Sequence, residues 1–303
     1  MSATPVASAS APRRTLTVDV VAALIIVWVV WGSTYLAIKI GVQSLPPFML
    51  TSGRFLLAGV LLLVLARQRR EAWPSVIQWR NAFIVGALMM GGGVGLTSFA
   101  EQTNSSSLTT VIVAAGSLAN LFAVGLIVGE WPGRREWAGV AVALCGTLLL
   151  AFDGDIQAAP AAAAVQIGAV TCWAVGTALT RRLQLSSGAM GNASQMLAGG
   201  AVVGLVSVLW REQLPSAVPM AAVGAWLYLA LIGSVLAYSA YMHLVKNARP
   251  ALTTSYSYVN TVVALVLGYF VLNERVSVPA LAAVALILVG VVMISRAKSV
   301  PSA

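Results

Sequence analysis

The chain has 303 residues, of which 59% are hydrophobic and only 9% charged, and its mean hydropathy is +0.89. A water-soluble domain carries roughly 25% charged residues, so an ordinary soluble surface is excluded and the surplus apolar side chains must face lipid. The net charge of +9 and pI near 10.2 do not make the chain a nucleic-acid binder, because no basic stripe with interleaved aromatic residues occurs and the cations fall in short connections.

In chain order, residues 1–17 are rich in Ala, Ser, Thr and Pro, carry Arg13 and Arg14, and read as a flexible cytoplasmic tail. The apolar run 20–38 could belong to a signal peptide. It is long enough to span, however, and no small-x-small cleavage site follows it, so it reads as an uncleaved first helix. A span needs about 20 mostly apolar residues to cross a hydrocarbon core about 30 Å thick. Nine further segments qualify: 48–66, 81–100, 106–129, 137–152 (short), 162–180, 192–210, 221–244, 252–272 and 276–294. They must be helices, since lipid offers backbone polar groups no partner, and the alternating ten-residue pattern of a barrel is absent.

Orientation follows from the Lys and Arg residues in alternate connections. Fourteen of the 18 lie in the two tails and the second, fourth, sixth and eighth connections, against Lys39, Arg211 and Arg275 on the other side. This split predicts that both termini are cytoplasmic. Arg54 alone lies within a span. Trp73, Trp79, Trp131, Trp137, Trp210 and Trp226 fall at span ends, where indoles anchor at the interface, whereas Trp28, Trp31 and Trp173 do not.

The two halves repeat. Leu108-Thr109-Thr110 matches Leu252-Thr253-Thr254, Glu130 matches Glu274, Gly146 matches Gly290, and Trp31 matches Trp173. Five spans per half is an odd number, so the second half is inverted. The expected fold is an all-α integral membrane protein of ten transmembrane helices. It divides into a tail at 1–17, a first five-helix repeat at 18–153, an inverted second repeat at 160–296 and a cytoplasmic tail at 297–303. Inverted repeats recur in secondary transporters, with the substrate site near the midplane between them and alternate opening by interchange of two similar conformations. Duplication without transport is the plain alternative.

These residues resemble the drug/metabolite transporter (DMT) superfamily in its ten-helix EamA-like branch. The marks are Trp31-Gly32-Ser33 with Lys39, Arg54-Phe55, the Gly129-Glu130 and Asn273-Glu274 junctions, and Gly146 and Gly290. The likeness covers almost the whole chain after residue 18. It implies a carrier of amino acids, nucleosides, sugars or other metabolites in a bacterial inner membrane, usually working outward. The narrower likeness is to YddG-type exporters of aromatic and other amino acids. Ser117 and Thr261 depart from the family by replacing a frequent Pro, which implies a milder kink, and Ala174 stands opposite Gly32.

The candidate substrate-binding residues are Trp31, Tyr35, Arg54, Asn120, Trp173, Tyr238, Tyr258 and Asn260. Trp31 and Trp173 are mid-span and repeat-related, so they could wall one central volume for an aromatic substrate or simply pack helices with their N–H groups bonded across. Arg54 could pair with a substrate carboxylate, snorkel, or bind helix-end carbonyls. Tyr238 and Tyr241 share a helix face. Ser255, Tyr256, Ser257, Tyr258 and Asn260 are too polar for a lipid face, although Ser and Thr also bond their own backbone. Six of the seven tyrosines lie in the second half, which implies unequal contributions to selectivity. Gly91-Gly92-Gly93-Val94-Gly95 permits either a bend or tight packing, and Gly200 with Gly204 has contact spacing.

Cys145 and Cys172 sit in apolar runs and read as buried, inert thiols. His243 has no companion at ligand spacing, so no metal or other cofactor is implied. Without a P-loop the chain cannot hydrolyse ATP by that device. No Asp or Glu is seated mid-span, Glu101 being terminal, so passive or exchange transport driven by the internal substrate pool is expected. An intramembrane enzyme would need a nucleophile–base pair or paired acids, and a channel would need filter rings. Within transport, efflux of lipophilic drugs or other metabolites is the alternative to amino-acid export. The partners are a small-molecule substrate and the lipid bilayer, and one chain holding both halves can work as a monomer.

Overall fold

The computed structural model describes residues 16–103, 106–153, 160–272 and 277–297. The Asn273-Glu274 junction, Arg275, Asp155 and most of both predicted tails lie outside them. Among the described residues there are ten helical rods and no strand. They are α1 Val18–Val42, α2 Pro47–Gln68, α3 Val76–Ala100, α4 Ser106–Val128, α5 Arg134–Asp153, α6 Pro160–Arg182, α7 Gly188–Leu209, α8 Met220–Asn247, α9 in two pieces (Pro250–Thr254 and Tyr256–Leu272), and α10 Val278–Arg296. Seven of these (α1, α2, α3, α6, α7, α8 and α10) are by themselves long and apolar enough to cross a membrane.

Several ends are written locally in the sequence. Ser75 and Gln78 form a reciprocal capping box before α3, which satisfies two otherwise orphaned amides. Pro47 opens α2, and Ser277 caps α10 ahead of Pro279, positions where a missing N–H costs nothing. Gly129 ends α4 at φ +85, a left-handed C-terminal stop that suits glycine. α4 runs unbroken past Ser117.

The two halves are related pair by pair. The strongest helix contacts are α2 with α7, α5 with α10, α3 with α6 and α1 with α8. Each joins one repeat to the other, and inversion exchanges the last two pairs. Between α5 and α10, a Cβ on Gly146 would lie 2.7 Å from the Ala283 carbonyl oxygen, and one on Gly290 would lie 2.6 Å from the Ala143 amide nitrogen. Backbones can meet this closely only where side chains are absent. Gly200 and Gly204 do the same against Leu56 and Ser52, and Ser52 Oγ donates to the Gly200 carbonyl at 2.9 Å.

The ends of α2 and α7 match in detail. Arg70 and Arg211 are both left-handed, at φ 56 and 55, and the amides of Glu71 and Glu212 return to the carbonyls of Ala66 and Ser207. Each glutamate then reaches across to the start of the other helix. Glu71 accepts from the Ala189 and Met190 amides at 3.3 and 2.8 Å, and Glu212 from the Phe48 and Met49 amides at 3.1 and 2.7 Å. A carboxylate at a helix N-terminus satisfies orphaned donors and complements the dipole.

Both α3 and α8 widen to π-helix midway, over Ala87–Gly95 and Leu229–Leu236. The widened turns start 142 residues apart, the same offset that relates Trp31 to Trp173. The glycine run in α3 thus produces both outcomes weighed from the sequence. The helix deforms, and Gly92 and Gly93 lie hard against Cys172 and Trp173 of α6. Cys172 is half-buried, but Cys145 is exposed on the flank of α5, which corrects its reading as a buried thiol. A short apolar run cannot say which of its faces meets lipid.

Candidate functional site

Between the repeats lies a cavity with about 860 Å³ of space between its lining atoms, counted through to its open mouth. It is lined from α1, α2, α3, α4, α6, α8 and α9. Its floor is a cluster of rings from both halves. Trp31 packs at 5.4 Å from Trp173, 4.8 Å from Tyr241 and 5.0 Å from Tyr256, and Trp173 lies 5.4 Å from Tyr241. Such offset and edge-on contacts are the favoured aromatic geometries. From this floor the cavity extends toward the face poor in Lys and Arg, where α1 and α3 end, since Ile38 and Thr97 line it.

On the face rich in Lys and Arg, ion pairs bind the helix ends. Arg181 donates to Glu130 at 3.2 Å and to the Ala248 carbonyl. Arg249 pairs with Glu136 at 2.5 Å and donates to the Ile294 and Ser295 carbonyls.

Six of the eight sequence candidates line the cavity: Trp31, Tyr35, Arg54, Trp173, Tyr238 and Asn260. Tyr258 and Asn120 do not. Tyr258 is fully buried, with its hydroxyl bonded to Ser117 between α9 and α4. Asn120 is buried beside Tyr241, under the ring cluster.

Arg54 is 4% exposed, so it does not snorkel. Its Nε donates to Ser234 Oγ at 3.1 Å, Ser234 in turn donates to the Leu229 carbonyl at 2.9 Å, and the guanidinium lies over the Phe55 ring. Among the described residues no helix-end carbonyl engages it, and Nη1 is buried without a partner. The widened turn of α8 thus supplies both the serine that orients Arg54 and the Gly233 carbonyl that accepts from Trp31 Nε1 at 3.1 Å. Trp28 is also bonded across, to Ser255 Oγ at 3.1 Å. Trp173 is different: its Nε1 lies beside the Tyr241 and Tyr256 hydroxyls, but no acceptor among the described residues is within hydrogen-bond geometry. Asn260 lies beside the Tyr35 hydroxyl, but among the described residues neither of its side-chain amide atoms completes a hydrogen bond either. Buried polar groups are normally paired, so three unsatisfied groups on one aromatic-walled cavity mark places where a ligand's own polar atoms fit. Tyr238 is satisfied, donating to Gln195 Oε1 at 2.8 Å.

Several lining residues were missed from the sequence. Thr34 and Thr97 look like ordinary helix threonines, and Thr97 Oγ1 accepts from Gln166 across to α6 at 3.1 Å. Tyr256 was visible only as part of a polar run. Glu101, placed by sequence at a helix end, proves to be 6% exposed. An acid just past an apolar run gives no local sign that neighbouring helices will close over it.

Comparison with known proteins agrees with this architecture. The profile of the EamA-like transporter family matches residues 20–152 and again 161–296. The chain is 38% identical over 281 residues to an uncharacterized inner membrane transporter, YedA, of Escherichia coli (strain K12), covering 91% of this chain and 90% of that protein. It is 24% identical over 274 residues to a "probable terminal-alkyne amino-acid exporter" of Streptantibioticus cattleyicolor, covering 90% and 92%. One solved crystal structure superposes with a TM-score of 0.76 at 20% identity, covering 91% of this chain and 96% of that one, a likeness of fold alone.

Proposed function

From the premise that this chain belongs to the EamA-like transporter family, we propose that it carries small carboxylates with apolar or aromatic bodies across a bacterial inner membrane. Amino acids, aromatic ones included, are the favoured class, and export is the favoured direction. The observation that carries this reading is the unpaired guanidinium nitrogen of Arg54 above a floor of indole and phenol rings. A buried guanidinium attracts a carboxylate strongly, the rings accept an apolar side chain, and Asn260 and Trp173 Nε1 offer further hydrogen bonds. Lipophilic cations, a common chemistry for drug efflux, would be repelled by Arg54. The likeness to an amino-acid exporter agrees with this class, and the YddG-type likeness belongs to the same proposal.

Transport proceeds by alternating access. The cavity extends toward the charge-poor face and the ion pairs of Arg181 and Arg249 tie the charge-rich face, as in one of two pseudo-symmetric states. With both termini cytoplasmic, that state opens outward. Among the described residues no acid lines the cavity itself; the internal substrate pool drives net export, and the monomer is the working unit.

Counterflow of labelled L-phenylalanine in proteoliposomes tests the reading. 3-Phenylpropanoate should compete and phenethylamine should not, and Arg54→Gln should weaken competition by about tenfold or more, as for a lost charged hydrogen bond. Equal competition by the amine, with Arg54→Gln unaffected, would instead favour drug efflux.

A further inference from the structure

Glu101 has no place in the cavity just described, yet its side chain is buried close to it. It follows α3 directly, is 6% exposed, and among the described residues neither carboxylate oxygen has a hydrogen-bond partner. Thr97, one turn earlier on the same helix face, lines the cavity. Lys39 Nζ donates to the Glu101 backbone carbonyl at 3.3 Å rather than to its carboxylate, and Arg54 acts on the carboxylate through space. The helices that carry Arg54 and Glu101 are pinned together by Thr51 Oγ1 donating to Ser98 Oγ at 3.0 Å, each of these residues lying three positions before one of the charges. Among the described residues, the charged and titratable groups acting on Glu101 are Lys39 and Tyr35 from α1 and Arg54 from α2. From α6 the neutral Gln166 faces Thr97. At the end of α7, Glu212 is turned away and held by the start of α2.

An unbonded carboxylate removed from water is stable as an anion only while nearby cations support it. Arg54 is one of those cations, and it is also the group the substrate reading gives to the ligand. A carboxylate arriving at Arg54 cancels that support. We propose that Glu101 is a proton-binding site linked to the cavity, taking up a proton when a carboxylate ligand occupies Arg54 and releasing it when the ligand leaves. This rests on the carboxylate reading of the cavity. The proton comes from solvent and no bond other than O–H is made. Burial, the largest influence, holds the Glu101 carboxyl up at about 8 against the opposing pull of Lys39 and Arg54, so the exchange falls at accessible pH. Linkage is reciprocal: if ligand binding favours the proton, acidification favours the ligand by the same factor.

The test is calorimetric titration of 3-phenylpropanoate, whose only titratable group stays ionised throughout, into the purified full chain in lipid nanodiscs. Two buffers of different ionisation enthalpy give the protons taken up per ligand. Wild type should take up a substantial fraction of one proton near pH 8 and bind about three- to tenfold tighter at pH 7 than at pH 9. Glu101→Gln should bind with no proton uptake and no pH dependence. Lys39→Gln keeps the carboxyl but removes a cation, so its maximum of proton uptake should move to higher pH, which gives a second reading if Glu101→Gln does not fold. Wild-type binding without proton uptake, or uptake unchanged in Glu101→Gln, overturns the proton site and leaves the carboxylate reading intact. Failure of both 3-phenylpropanoate and L-phenylalanine to bind, or binding undiminished in Arg54→Gln, overturns the carboxylate reading and the proton site with it.

Discussion

Replacing the two central indoles in turn, Trp31→Phe and Trp173→Phe, should have opposite consequences even though the residues are repeat mates. Both substitutions remove a similar amount of ring from one aromatic cluster, so their packing losses nearly cancel in comparison. What differs is the N–H. Trp31 Nε1 is bonded to the Gly233 carbonyl, and losing that bond costs about 1 kcal/mol, rising toward about 2–3 kcal/mol if the carbonyl is left dry. Trp173 Nε1 has no acceptor within hydrogen-bond geometry among the described residues, so its loss removes an unsatisfied donor and costs nothing in the empty protein. Trp31→Phe should therefore be less stable than Trp173→Phe by roughly 1–2 kcal/mol. In ligand binding the order reverses. Trp173→Phe gives up a donor available to the substrate and should bind about five- to tenfold more weakly, while Trp31→Phe should change affinity little. Unfolding by a denaturing detergent in mixed micelles, followed by far-ultraviolet circular dichroism, reads the first difference, and titration of L-phenylalanine reads the second. Equal stability losses for both variants would refute the inequality between the indoles.

Three further outcomes can be checked in the same micelles. Glu71→Ala and Glu212→Ala each remove a carboxylate from two helix-end amides, Glu212 also bonding Ser207. Each should cost about 1–3 kcal/mol, and because the sites lie at opposite ends of the α2–α7 pair the double variant should show near-additive loss. Gly146→Ala and Gly290→Ala should destabilise by similar amounts, about 1–3 kcal/mol, because each new methyl meets backbone under 3 Å away. Gly168→Ala meets nothing within 4 Å and should show no loss. Finally, Glu101 holds its proton more tightly when folded than the ordinary 4.5, so the folded state binds more protons than the unfolded one between about 4.5 and 8. Stability should fall as pH rises through that window and level off above it. Glu101→Gln should flatten the profile, and a wild-type profile that rises instead would contradict the buried, unpaired carboxyl.

Much of the architecture was legible because lipid enforces it. Apolar length marks the ten spans, and Trp31/Trp173 and Gly146/Gly290 reveal the duplication. Helix limits were read short: α1 runs Val18–Val42 where 20–38 was expected, and α5 starts at Arg134, since hydropathy ends where polarity begins while helical bonding continues. The Ser75–Gln78 box was readable and would have placed the start of α3 correctly. The break of α9 at Ser255 and the widened turns of α3 and α8 were not readable, because they depend on which neighbour presses on which turn. At the site, Trp31, Arg54 and Asn260 stand out as polar or bulky groups in apolar runs. Asn120 and Tyr258 stand out equally, but they face other helices, and nothing in a single helix's sequence says which neighbour its polar face will meet. The functions of Glu71 and Glu212 were invisible for the same reason, since each acts on a helix more than 100 residues away.

The pairing of helices also constrains how the protein comes to be made. Its principal contacts, α2 with α7, α5 with α10, α3 with α6 and α1 with α8, all cross from one repeat to the other, so neither half possesses an interior of its own. A nascent chain that has released only its first five helices into the bilayer holds glycine seams with nothing to seal them and a Glu71 without its amides. Assembly must wait until α7 and α10 emerge from the ribosome. The first half is then a substrate for membrane quality control throughout that delay, and a truncation anywhere in the second half should be cleared by proteolysis rather than accumulate.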